Sequence, residues 1–219
     1  MISIWYPATR VDGQKARYMP PRAAAYYDET AMPTIGIEPG RIELSDIGVH
    51  ASLNAPAESG ERGWPVIIYS PGGSVPRSLG TINVQELASN GYVVVTVDHT
   101  YEATVVEFPD GRIETEQLPA FGADTVLKMM NVRVDDVRFV LDRMKALKEG
   151  NNPDHAKREL PEGLDRALDL SRIGIFGHSA GGATAAQAMY EDERIGAGID
   201  MDGSMGYLPD HLLPVALYG

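Results

Sequence analysis

An α/β fold, with helices on both faces of a mostly parallel central sheet, is what this sequence predicts, and three observations predict it. Short apolar, β-branched runs alternate with longer amphipathic stretches along the chain, the pattern of strand–helix–strand units. The strongest run, YVVVTV at Tyr92 to Val97, is apolar on both faces, which suits a parallel strand covered from both sides. Finally, GIFGHSAGG at 174–182 passes from an apolar run through a glycine-rich turn into good helix formers, a strand-to-helix junction.

The bulk properties fit one folded domain spanning 1–219. At 219 residues and 43% hydrophobic the chain is long enough to bury a single core and too apolar for disorder. A net charge of −12 disfavours nucleic acid or an anionic membrane surface as the main partner. No cysteine is present, which excludes disulfides, a thiolate metal site and a thiol nucleophile. The opening MISIWYPATR has neither the basic region nor the apolar stretch of a signal peptide, and no run has the length of a transmembrane helix. The compartment is left open by this: secreted or periplasmic if a leader was lost upstream, otherwise cytoplasmic.

In chain order, Ile2 to Tyr6 reads as a strand. Residues 12–40 carry Pro20, Pro21, Pro33 and Pro39 with Tyr18, Tyr26 and Tyr27, an excursion with a short helix at Arg22 to Tyr27. Such an excursion either forms a lid or rim or is anchored to the body by its aromatics. Val66 to Tyr69 is a short buried strand ending in Ser70-Pro71-Gly72-Gly73-Ser74. Thr81 to Asn90 is a helix that Gly91 stops, and Tyr92 to Val97 is the central strand. Val105 to Phe108 and Arg112 to Glu114 flank Pro109-Asp110-Gly111, a hairpin turn. Asp124 to Lys148 is a long helix, since Met130, Val134, Val137, Leu141 and Met144 form one apolar stripe. Residues 149–170 read as charged surface loop. The glycine-rich junction and its helix, Ala180 to Met189, come next, then strands at Ile195 to Met201 and Leu213 to Tyr218.

In such folds ligands bind beyond the carboxyl ends of the strands, which selects Ser70–Ser74, Asp98–Tyr101, Ser179 and Asp200–Ser204 as one rim. Gly177-His178-Ser179-Ala180-Gly181 fits the G-x-S-x-G nucleophile elbow in the strand-then-helix context it requires. Ser179 is therefore the candidate nucleophile, at a helix N-terminus that favours developing negative charge. A serine nucleophile needs a base, an orienting acid and an oxyanion hole. The amides of Ala180 and of Gly73 are the candidate hole, each able to contribute about 3 kcal/mol to transition-state stabilisation. Asp200 and Asp202 both follow the nucleophile, and Asp202, at the strand end beside Gly203, has the better exit to the rim. A phosphate loop is disfavoured because no lysine follows the glycines. A metal hydrolase using Asp98, His99 and Asp202 is a distant reading, since no helical His-x-x-x-His pair supports it.

IWYPA, LASNGYVVVTVDHTYEA, FPDGR, GHSAGG and GIDMDG resemble the bacterial relatives of the platelet-activating-factor acetylhydrolases, serine esterases of the α/β-hydrolase fold. The resemblance runs from Ile4 nearly to the end of the chain. It implies Ser179 as nucleophile, Asp202 as acid, Gly73 and Ala180 as the hole, and short acyl or lipid esters as substrates. It implies no metal or organic cofactor. Polyester hydrolases and cutinases are a neighbouring group, in which an aromatic commonly follows the Ser-Pro-Gly loop where this chain has Gly73.

The base departs from that pattern. It is expected well after the acid, and the histidines here are His50, His99, His155, His178 and His211. His50 and His155 fall in polar loops. His178 is expected to pack away from the pocket and His99 to be a pocket-wall or structural residue. His211 has the right chain order but follows Asp202 closely. The expectation is a chain that stops short of its base and of the last elements of a full hydrolase sheet, leaving either an esterase core or a hydrolase fold without turnover.

Overall fold

The computed structural model describes residues 1–9, 13–120 and 122–204. His211 and the expected strand at Leu213 to Tyr218 lie outside the described residues. In chain order the elements are β1 (Ile2–Trp5), α1 (Pro21–Thr30), β2 (Trp64–Ser70), α2 (Thr81–Ser89), β3 (Val93–Val97), β4 (Val105–Glu107), β5 (Ile113–Thr115), α3 (Ala123–Lys148), α4 (Leu164–Ala167), β6 (Leu168–His178), α5 (Ala180–Glu191) and β7 (Ile195–Met201). Five strands form one sheet in the order β1, β3, β2, β6, β7, and β4 pairs with β5 as a separate hairpin. β1 runs antiparallel to β3, while β2, β3, β6 and β7 are mutually parallel. This is an α/β-hydrolase sandwich, and its parallel strands bring four carboxyl ends to one edge.

Alternation along the strands divides the core into two layers. Val66, Ile68, Val93, Val95, Ile173 and Ile175 face α3 and α5, meeting Val134, Val137, Leu141, Met144, Ala185 and Ala188. The intervening Tyr69, Val94 and Phe176 face the other way and pack on Val84 of α2. Both faces of the central strands are thus dry, which is why they read as continuous apolar runs rather than alternating ones.

The excursion after β1 is tied to the hairpin. Met19, Ala23, Ala24, Leu44 and Val105 share a small core, with Tyr18, Tyr26 and Tyr27 packed against it. The amides of Arg22 and Ala23, orphans of the first turn of α1, both donate to the Glu107 carboxylate at 2.9 Å. That carboxylate takes the place of a cap the proline-led sequence does not supply.

The reading of 149–170 as surface loop is corrected in its last part. Residues 164–167 form α4, and Leu168 begins β6, pairing with Trp64 ahead of a register shift at Pro65/Val66. Leu164, Ala167 and Leu168 are buried in the main core. Four apolar residues set among charges carry too weak a period to announce this. The packing under β2 decides it.

Candidate active site

β6 passes into α5 through one residue, and that residue is Ser179. It is the N-cap of α5 at φ 55°, ψ −122°, outside the regions an L side chain adopts without strain. The glycines on either side make the turn possible. A Cβ on Gly177 would lie 2.2 Å from the carbonyl of Gly181, and one on Gly181 would lie 2.0 Å from the carbonyl oxygen of Ser70. Both distances are far inside contact, so the strand–turn–helix junction closes only with glycine there. Because α5 starts at Ala180, Ser179 projects where the first amides of the helix are unpaired.

The neighbouring strand end carries the candidate acid. His178 is paired in register with Met201, and the Ser179 amide donates to the Met201 carbonyl at 2.9 Å. Ser179 and Asp202 therefore each stand one residue beyond a paired position on adjacent strands. Asp202 leaves β7 at φ 59° and is exposed. Asp200 turns its carboxylate back instead, accepting the Gly203 amide at 2.7 Å over the gap left by Gly182, where a Cβ would lie 1.9 Å away. Its turn-forming role leaves Asp202 as the rim carboxylate.

Gly73 sits beside the elbow. A Cβ built on it would stand 3.9 Å from the Ala180 Cβ and 3.9 Å from Glu102 Oε1. Among the described residues, neither the Gly73 nor the Ala180 amide donates a hydrogen bond within the chain. Backbone strain gathers on the same edge. Of the six non-glycine residues with positive φ among the described residues, four are Ser74, Tyr101, Ser179 and Asp202.

Behind the rim lies a polar network that the sequence reading missed. His99 is 2% exposed; its Nε2 is 3.0 Å from the Ser70 hydroxyl and its Nδ1 is 2.8 Å from Asp136. With Asp136 as acceptor, the proton sits on Nδ1 and Ser70 donates to Nε2. The series serine–histidine–aspartate looks like a catalytic one, but Ser70 has no exposed surface and is not on the elbow. His99 is thus a structural residue behind the wall, not a rim group. Asp98 is likewise occupied: it accepts the Arg77 amide at 2.7 Å and pairs with the Arg77 guanidinium. Arg133 and Glu102 form a second buried ion pair, with Arg133 also donating to the carbonyls of Pro71 and Gly72. One signal for Arg133 was available, since a charge three residues after Met130 falls on the apolar stripe of α3 and must find a partner there.

The other described histidines are exposed. His50 and His155 lie at the surface as expected. His178 is also exposed, which corrects its reading as a packing residue; its Nδ1 lies 3.5 Å from where a Cβ on Gly72 would stand. Among the described residues, no histidine is hydrogen-bonded to Ser179.

Burial pushes the His99 imidazole below its usual pKa. The charge of Arg133 acts in the same direction, while Asp136 and Glu102 oppose it. The unfolded chain takes up this proton near pH 6.5 and the folded chain only lower. The unfolded state therefore binds more protons in that window, and stability falls as pH drops below about 6.5. His99→Gln is expected to flatten the acid-side loss in urea melts between about pH 7 and 5. Equal pH slopes for variant and parent reject this account.

Residues 34–216 match the family described as platelet-activating factor acetylhydrolase, isoform II. The chain belongs to this family. Its membership places it in the α/β-hydrolase superfamily, in agreement with the sandwich described above. The platelet-activating factor acetylhydrolase of Cavia porcellus is 27% identical over 229 residues, covering 92% of this chain and 49% of its own. A probable 1-alkyl-2-acetylglycerophosphocholine esterase of Arthroderma benhamiae is 38% identical over 144 residues, covering 65% of this chain and 32% of its own. The solved ferulic acid esterase of Streptomyces cinnamoneus superposes with a TM-score of 0.68 at 32% identity, covering 92% of this chain and 51% of that one. The chain thus spans from a third to a half of the length of these relatives. No helix of the described residues is long and apolar enough to cross a membrane.

Proposed function

We propose that this chain carries the core of a serine carboxylic-ester hydrolase that cleaves short acyl esters through an acyl-enzyme. The single observation behind the reading is Ser179, held at φ 55°, ψ −122° between β6 and α5, next to the unpartnered amides of Gly73 and Ala180. In this reading the Ser179 oxygen attacks the ester carbonyl while a base takes its proton, and the carbonyl oxygen becomes an oxyanion held by the two amides. Collapse expels the alcohol, which receives that proton, and leaves the acyl group on Ser179. Water, activated by the same base, then releases the acid. Asp202 holds and orients the base. The base expected after the acid in chain order is left unassigned, because none of the described histidines is bonded to Ser179. One relative is named an esterase of a 1-alkyl-2-acetylglycerophosphocholine and another an acetylhydrolase, and these names support a short acyl group, the first also a lipid alcohol.

A fluorophosphonate probe tests the nucleophile without turnover. It is expected to add to Ser179 alone, at whatever rate the base allows, and to nothing in Ser179→Ala. Peptide mapping that finds the adduct elsewhere, or none after long exposure to excess probe, rejects the reading and leaves a hydrolase fold without turnover.

A further inference from the structure

Arg133 is the largest fully buried side chain among the described residues, 1% exposed, and the reaction outlined above does not use it. It rises from α3 behind the loop that follows β2. Its Nε donates to both oxygens of Glu102 at 3.0 and 2.8 Å. One terminal nitrogen donates to the Pro71 carbonyl at 2.9 Å and the Ser70 hydroxyl at 3.3 Å. The other donates to the Gly72 carbonyl at 3.0 Å and again to Glu102. Charge neutrality needs only Glu102. The planar fork does something further: it holds two successive carbonyls of one loop.

We propose that Arg133 is a positioning residue for the oxyanion hole, aiming the Gly73 N–H at Ser179 by holding the Gly72 carbonyl behind it. The inference rests on the reading of Ser179 as nucleophile. The unit joining Gly72 to Gly73 is a rigid trans plane in which C=O and N–H point in opposite directions. Drawing the carbonyl back onto Arg133 therefore turns the amide to the other side of the loop, away from Arg133. The loop is pinned beyond Gly73 as well. Ser74, at φ 57°, has its carbonyl held by the Thr104 amide at 3.0 Å and the Thr104 hydroxyl at 2.6 Å. The Gly72 carbonyl also accepts the Val75 amide at 3.2 Å, and among the described residues the Gly73 and Ser74 amides inside that turn donate to no partner in the chain. Arg133 has a second effect. Glu102 Oε1 lies 3.9 Å from the Cβ position of Gly73, where an uncompensated carboxylate would oppose an oxyanion, and the guanidinium neutralises it.

The test is the rate at which a fluorophosphonate labels Ser179 in the full chain, followed by intact mass at several probe concentrations beside a thermal melt. Arg133→Lys keeps the charge, but a compact ammonium cannot hold two carbonyls and both carboxylate oxygens together. Its maximal labelling rate is expected to fall about 100-fold, the scale of a misplaced or lost hole donor. The half-saturating probe concentration is expected to stay unchanged, because the hole acts on the transition state. A merely structural role predicts a lower melting temperature with an unchanged rate. The paired variant Arg133→Gln with Glu102→Gln removes both charges at similar volume and so leaves no unpaired buried ion. It is the variant to read where Arg133→Lys does not fold, and the same loss is expected. Parent-like labelling in either folded variant overturns the proposal while Ser179 stands. An unlabelled parent overturns the nucleophile reading and this inference together.

Discussion

Hydrolysis of p-nitrophenyl acetate by the 219-residue chain alone is expected to run close to the buffer rate, and Ser179→Ala is expected to change it little. A serine hydroxyl is a poor nucleophile until a base takes its proton. In serine triads, loss of the base costs about as much as loss of the nucleophile, about a millionfold in turnover, while hole and binding retain roughly 10³ to 10⁴ over water. The described part of this chain carries the proposed nucleophile, acid and hole, Ser179, Asp202 and the amides of Gly73 and Ala180. Both ring nitrogens of His99 are taken by Ser70 and Asp136, and no other described histidine is bonded to Ser179. Strong Ser179-dependent turnover would refute this expectation. It would assign the base to His211 if His211→Ala removes the activity, and to a described histidine if it does not. Added imidazole gives a second readout: a Ser179-dependent rise in rate, taken as the difference from Ser179→Ala, is expected because a free imidazole can supply the proton acceptor beside Asp202.

The largest expected effect on stability is at the elbow. Gly181→Ala places a Cβ 2.0 Å from the Ser70 carbonyl oxygen and 2.4 Å from that of Pro71. Both obstacles are backbone, one of them the last residue of the strand β2, so no rotamer change relieves them. β2 and α5 must separate, and the cost is expected to exceed about 3 kcal/mol, a large share of the 5–15 kcal/mol that holds a domain together. Gly174→Ala is the control. Its Cβ would lie 3.6 Å from the Ala197 carbonyl oxygen, an ordinary contact, and its effect is expected to stay within about 1 kcal/mol. Urea melts of the two variants check the pair, and equal destabilisation would mean the elbow is not tightly packed.

The parts legible in the sequence were those where local chemistry and tertiary need coincide. The stripe of α3 gave its bounds to within a residue, and β3 announced itself because both its faces are covered. The elbow was legible because only glycine fits at 177 and 181, so the steric demand is written in the residue type. The strand-end position makes Asp202 the candidate acid in the sequence, while Asp200 accepts the Gly203 amide in a turn, a contact no spacing rule announces. What stayed hidden is long-range. Leu168 and Leu170 look like loop residues until Trp64 and Pro65 lie beside them. Ser70, Asp136, Glu102 and Arg133 come from three separate stretches, and no spacing rule connects them. His99 shows the ambiguity most sharply. A histidine at a strand end belongs equally well to an open site or a sealed one, and only the burial of Ser70 decides.

The four strained residues on the rim have a consequence for how the family can be read across lineages. A backbone at positive φ costs an L side chain of order 1–3 kcal/mol, a cost glycine does not bear. A chain under pressure only to fold would lose by keeping serine at 179 or aspartate at 202, and drift would carry both toward glycine or asparagine. Retaining side chains there is a standing tax on stability, tolerable only while selection collects something in return. The residues at 74, 101, 179 and 202 therefore act as a gauge. In an alignment of the family, members active as hydrolases are expected to keep side chains at these positions, and glycine or asparagine there is expected where activity has been lost.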